Sequence, residues 1–481
     1  MSDRRVFRWA TTSTRMLIGT VVSIAAAMAV VTAVSVPWPT LTRDPVRVAA
    51  TPAPAASVAA CDGGLLLIGR DPTDADSVVT AAPQSVTSGV SVDAPPPAEQ
   101  QLEVPAVGPG PLVFTAPPQD RQRVDVAAAG AATVTADDLS GFAASSCRPP
   151  LLESWLIGGS GLTGAADLVL LANPGTVPAT VELTVFGVGG PQVPPGASDI
   201  VVAPGTQRVV PLAGIALDEA SPVIRVSAVG APIHASLQAS IMRTLTPGGV
   251  DQVGAVPRPA PTQTITGVSV TGRSEESGAS ARPGTPAEPE ITQSATVLRI
   301  VAPSAATDAT VTVTAIGRAE PALEPQQVPL EEGKPLELAL DGLAVGSYTV
   351  EVEASAPVLA AVWQATGFDE GADFAWYTPA PEVSVPSLFA VPSGPPPTLT
   401  VVNPADEPVV VAVTSEDGAF RLELTVPADG AMTARLSSRT VYLIEPASPV
   451  HASLSFTGDS ALAGFPVWPA DAAAPQIIVY P

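Results

Sequence analysis

The sequence predicts an all-β protein in which one N-terminal transmembrane helix is followed by tandem immunoglobulin-like or fibronectin-like β-sandwich domains. Three observations carry this reading. One long apolar run opens the chain, and nothing after it keeps the 3.6-residue period of an amphipathic helix. Short Val- and Thr-rich runs, broken by proline and glycine, fill the remainder. The chain's two asparagines and two histidines also fall in matching places. Asn173 and Asn403 close the runs LVLLANP and LTVVNP, while His234 and His451 sit in PIHASL and PVHASL. Such coincidence in rare residues marks an internal repeat.

From the N-terminus, residues 1–15 read as a cytoplasmic tail carrying Arg4, Arg5, Arg8 and Arg15. Residues 16–36 lack charge and, as a helix, would span about 31 Å, close to the hydrocarbon thickness of a bilayer. The arginines before this run hold the N-terminus inside and export the rest, giving a single-pass protein of the cell membrane with most of its chain outside. A cleaved secretory signal is the alternative, although its apolar region usually spans only about 7–15 residues. Residues 37–60 form a Pro/Ala linker, expected to be extended.

Residues 61–150 read as a β-rich domain closed by Cys61 and Cys147. These are the only cysteines, and in an exported chain they are most simply one disulfide. Sandwich repeats come next, at 151–261, 295–386 and 387–481. They share four anchors in one order: the strand ending LLANP, RIVAP or TVVNP; a Pro/Gly turn; a β-run closing on proline; and a proline-rich end, AVPRPAP, WYTPAP or PVWPAD. Leu359 stands where the other copies have histidine, and Ala302 where they have asparagine. Each copy is long enough to bury its own core, so a string of semi-independent sandwiches is expected. The polar stretch 262–294 reads as a flexible linker on which the string would bend.

Composition narrows the function. With 46 acidic against 22 basic residues the net charge is −24, which argues against nucleic acid and anionic lipid headgroups as direct ligands. No catalytic residue, metal ligand or cofactor motif stands out. GGSGL lacks the register of G-x-S-x-G, and H-E-x-x-H and zinc-type cysteine clusters do not occur. Asp71, Asp74 and Asp76 share a loop without the glycine and glutamate of an EF-hand. A position that accepts both histidine and leucine is apolar, so His234 and His451 read as structural, with a metal or pH-sensitive contact as the alternative. Trp376 and Trp468 read either as core residues or as exposed platforms that stack on sugar rings.

An arginine-led anchor, a cysteine pair bracketing a first domain, and the strings ESWLIGGSG, LVLLANPG, VVAPGTQRVV and PIHASLQAS together resemble one group. It is an actinobacterial family of exported, membrane-anchored proteins classed as a domain of unknown function, some of them labelled large extracellular alpha-helical proteins. The resemblance is strongest over 147–260. Members are often encoded beside a large membrane glycosyltransferase. This implies a non-enzymatic scaffold or accessory subunit for envelope or cell-wall glycan assembly, with envelope proteins or wall polysaccharide as partners. A carbohydrate-binding module and an envelope hydrolase are the alternatives. The helical label conflicts with the strand patterns, and the strands are the better guide.

Overall fold

A computed structural model describes residues 3–35, 48–50, 54–70, 77–91, 94–119, 122–243, 245–272, 295–470 and 477–479. The loop of Asp71, Asp74 and Asp76 and the segment 273–294 lie outside them. The chain forms two units: Met1–Pro52 with Gln476–Pro481, and Ala53–Pro475. In the first unit the helix runs over Asp3–Ser35, and its stretch Thr14–Ala33 is long and apolar enough to cross a membrane. The same unit holds a two-stranded antiparallel ribbon of Val48–Ala50 with Ile477–Val479.

The second unit contains three sandwiches with one shared strand order. In the first, Glu153–Ile157, Val223–Val229, Ala179–Gly187 and Ile200–Val202 form one sheet. Thr206–Pro211, Leu168–Asn173, His234–Arg243 and Thr246–Gly254 form the facing one. The third repeats this with Ser387–Val391, Thr440–Pro446, Val409–Ser415 and Arg421–Val426 against Gly430–Arg435, Pro397–Asn403, Val450–Gly458 and Ala461–Pro466. In the second, the 20-residue strand Gly346–Ala365 serves both sheets, its first half pairing with Thr307–Ala315 and its second with Thr296–Val301. Alternating valines such as Val409, Val411 and Val413 face inward, as half-buried sheets require.

Three expected boundaries are corrected. The linker assigned to 262–294 opens with a strand, Ala260–Val270. It pairs with Gly346–Ala365 and buries Ile265 and Val268, so it is the first strand of the second sandwich. The linker assigned to 37–60 ends in the strand Ser57–Ala60, paired with Gly108–Ala116. The block 61–150 does not close on itself. Its strand Ala98–Val104 joins Thr206–Pro211 in parallel through Thr206 and Glu103, and so extends a sheet of the first sandwich to seven strands.

Nor are the sandwiches independent. The core around Leu171, Val181 and Val226 of the first runs on into Val297, Leu359 and Trp376 of the second. The reason lies in the last strand of each block. Ser140–Ser146, Thr246–Gly254, Phe374–Tyr377 and Ala461–Pro466 are each the outer member of an antiparallel hairpin. Each packs against the next, and the fourth returns to the first, so four blocks close into a ring around these strands.

Candidate functional site

The centre of that ring is one carboxylate. Asp373, fully buried, precedes the strand Phe374–Tyr377. Its Oδ2 accepts backbone N–H bonds from Phe142 at 2.9 Å and Leu462 at 3.1 Å, and its Oδ1 accepts one from Val250 at 3.1 Å. Each donor belongs to a different closing strand. Gly141 and Gly249, both at positive φ, flank two of these donors, and a Cβ at either would lie within 3 Å of Asp373. These glycines are therefore required by the close approach. Burial pushes the Asp373 carboxyl up to about 7, against the N–H bonds that lower it.

Similar ties join each neighbouring pair of blocks. Asp251 Oδ2 accepts from the Trp376 N–H at 2.7 Å, joining first and second sandwiches; burial, and then the like charges of Asp373 and Asp62, raises its carboxyl well above the ordinary range. Arg299 of the second sandwich donates to the carbonyls of Gly159 at 2.8 Å and Pro222 at 3.0 Å in the first, pairs with Glu337, and lies over the Trp376 ring at 4.7 Å. The Thr266 hydroxyl meets that of Ser453 at 2.6 Å, joining second and third. Asp125 accepts from the Leu388 N–H at 2.9 Å, joining the third to the N-terminal block. The ring is completed where His234 Nε2 meets Asp62 Oδ1 at 2.6 Å. Burial alone would raise the Asp62 carboxyl, but His234 and Arg148 bring it below its ordinary value.

The residues singled out in the sequence occupy defined places. Cys61 and Cys147 form a disulfide beside the Asp62–Arg148 cluster. His234 and His451 are equivalent in register, opposite Ala172 and Val402, as Leu359 is opposite Val301. His451 hydrogen-bonds the carbonyl of Ala380 at 2.8 Å, and burial lowers its pKa. Asn173 and Asn403 are the same device twice. Asn173 Nδ2 donates to the carbonyls of Val177 and Val202 and its Oδ1 accepts from Gly175; Asn403 repeats this with Glu407, Pro427 and Ala405. Each staples the turn after its strand. Asn403→Ala is expected to lower stability by about 1–3 kcal/mol, since a fully buried site loses three bonds, and urea denaturation reads this directly.

The stacking platforms are corrected. Trp376 is buried under Arg299, and Trp468 is half-buried under the Arg148 guanidinium, 5.2 Å away. Edges of Trp376, Trp363 and Phe374 line a cavity of about 110 Å³ between the first and second sandwiches, with Asp167 at its wall. Asp167 accepts from the Ser160 and Ser240 N–H groups at 2.6 and 2.7 Å, and burial raises it to about 7. Polar groups here are already taken up by the protein itself. Sequence reasoning misses Asp62, Asp125, Asp167, Asp251 and Asp373. The available signal is a lone aspartate within or just before an apolar strand, as in GGVDQVG and GADFAWY.

The raised carboxyl of Asp373 has a pH consequence. Between the unfolded value near 3.9 and the folded value of about 7, the folded chain holds the extra proton. Its contribution is therefore greatest at low pH and is lost as pH rises through about 7. The stability of the protein minus that of Asp373→Asn should fall across this window, by at most about 1.4 kcal/mol per pH unit. Urea midpoints at a series of pH values check the sign.

A family model described as "Family of unknown function (DUF5719)" matches residues 103–439. A search of the curated proteins finds no match. Among solved structures, the FN1–FN3 domains of chicken CNTN1 align at 10% identity over 81% of this chain and 99% of that one, with a TM-score of 0.11. A likeness at that score carries no structural argument.

Proposed function

The chain belongs to that family of unknown function, and from this premise we propose that it is a non-enzymatic, membrane-anchored protein of the cell envelope. It acts outside the membrane as a rigid scaffold or accessory subunit for envelope or wall glycan assembly, with its N-terminus in the cytoplasm. One observation carries the reading: several buried charged groups are committed to backbone partners in neighbouring blocks. Asp373 alone engages three other strands, and Arg299 and Asp125 each tie one block to the next. Buried polar groups so committed stabilise one arrangement of the blocks. A rigid body in a chain that carries a single apolar helix suits the presentation of a surface to a membrane enzyme such as a glycosyltransferase.

In-cell crosslinking of the full-length protein, beside residues 46–481 alone, tests this. Recovery of a membrane glycosyltransferase only with the full-length form is the expected result. Recovery of wall polysaccharide equally with both forms, and of no membrane enzyme, would sink the scaffold reading in favour of a binding module.

A further inference from the structure

The N-terminal block encloses a cavity of about 310 Å³, within the ~300–1,000 Å³ range of small-molecule sites. It lies between the hairpin Leu65–Ile68/Val78–Ala82 and the strands Ala98–Val104 and Gly108–Ala116, with Gln207 of the first sandwich reaching in from the side. In a chain of net charge −24, no charged residue among those described lines it. Its polar wall consists mainly of amides: Gln84, Gln101 and Gln207. The prolines Pro83, Pro109 and Pro111 form much of its apolar wall.

These amides are held in place yet incompletely used. Gln84 accepts from the Gly63 N–H at 3.3 Å and donates to Gln252 at 3.2 Å, and Gln252 in turn donates to the Gly63 carbonyl at 2.8 Å. Gln207 is 2% exposed; its Nε2 donates to the Asp62 carbonyl at 2.9 Å, while its Oε1 makes no hydrogen bond among the described residues. On the cavity wall this oxygen is open to accept a hydrogen bond from a ligand.

We infer that this cavity binds a neutral sugar ring. An ionised ligand would lose water there and meet no opposite charge. A wholly apolar ligand would displace water from the wall amides without offering them partners. A neutral sugar meets both demands. Its hydroxyls both donate and accept, matching primary amides, and its C–H faces pack against proline rings. A free sugar and the end of a glycan chain share this chemistry. The inference does not rest on the scaffold reading, because crosslinking can fail while the cavity still binds sugar, and the reverse.

The test uses the full chain in a detergent without a sugar headgroup, with glucose, galactose, arabinose and cellobiose as probes and glucuronate as the charged control. Binding is followed by saturation-transfer NMR and calorimetry. At least one neutral sugar should bind, and glucuronate should bind at least about tenfold more weakly. Gln101→Trp, at the exposed mouth, should weaken neutral-sugar binding by about tenfold or more without moving the melting temperature. Gln207→Leu should weaken binding likewise, at some cost in stability because the Asp62 carbonyl loses its donor, and Gln101→Trp keeps the test decisive should that buried variant unfold. Preference for cellobiose over glucose assigns the site to a glycan end, and equal binding assigns it to free sugar. The inference is overturned if no neutral sugar binds up to about 50 mM, if glucuronate binds as well, or if Gln101→Trp binds like the parent.

Discussion

Asp373→Ala is expected to destabilise the whole second unit by at least about 3 kcal/mol, in one cooperative step and without first releasing any single block. The substitution removes the acceptor for the N–H groups of Phe142, Val250 and Leu462, each on a different closing strand. Leaving a buried donor unpaired costs about 1–3 kcal/mol, and here three are stranded while the side chain's volume is lost as well. Asp406→Ala, an exposed carboxylate in a turn, should stay within about 0.5 kcal/mol. Chemical denaturation followed by both tryptophan fluorescence and circular dichroism decides the matter. If Asp373→Ala unfolds at the parent's midpoint, the ring is held by apolar packing and the carboxylate is incidental. If the probes separate into several transitions, the blocks are independent after all.

The same residue marks where sequence reading stops. The strands of the sandwiches are legible because alternation is local: Val409, Val411 and Val413 announce a buried face within five positions. The repeat is legible because Asn173 and Asn403 perform the same turn-stapling task, with their partners close by in sequence. The strand Ala260–Val270 is masked by its polar neighbour. Its alternation in TITGVSV runs straight into TGRSEESG, and the two together read as linker.

The ring is hidden for a deeper reason. Asp373 lies 231 positions from Phe142 and 123 from Val250, so nothing near it in sequence reveals that backbone donors will surround it. Before those partners are known, an aspartate or glycine at or beside a short strand looks like a turn, as in GADF and SGFA. A flexible string of domains is then the natural expectation. A ring closed by four short strands has no local signature.

Replacing Cys61 and Cys147 together by serine should lower stability by about 4.5 kcal/mol in the chain-entropy account, since the bond closes a loop with a sequence separation of 86. The folded state needs little help from it. Ala60 and Arg148, beside the two cysteines, already exchange a pair of backbone hydrogen bonds at 2.9 Å each. The bond therefore acts chiefly on the unfolded chain, by holding together two segments that would otherwise separate widely. Both cysteines are buried, at 0% and 8% exposure, so a reductant added to the native protein should leave the melting curve unchanged until denaturant opens the block. Denaturant titrations with and without reductant, beside the double serine variant, separate the two effects. A protein that loses its stability on simple addition of reductant would show that this block opens readily from the native state. That outcome would also loosen the Asp62–His234 contact, where the ring is completed between the N-terminal block and the first sandwich.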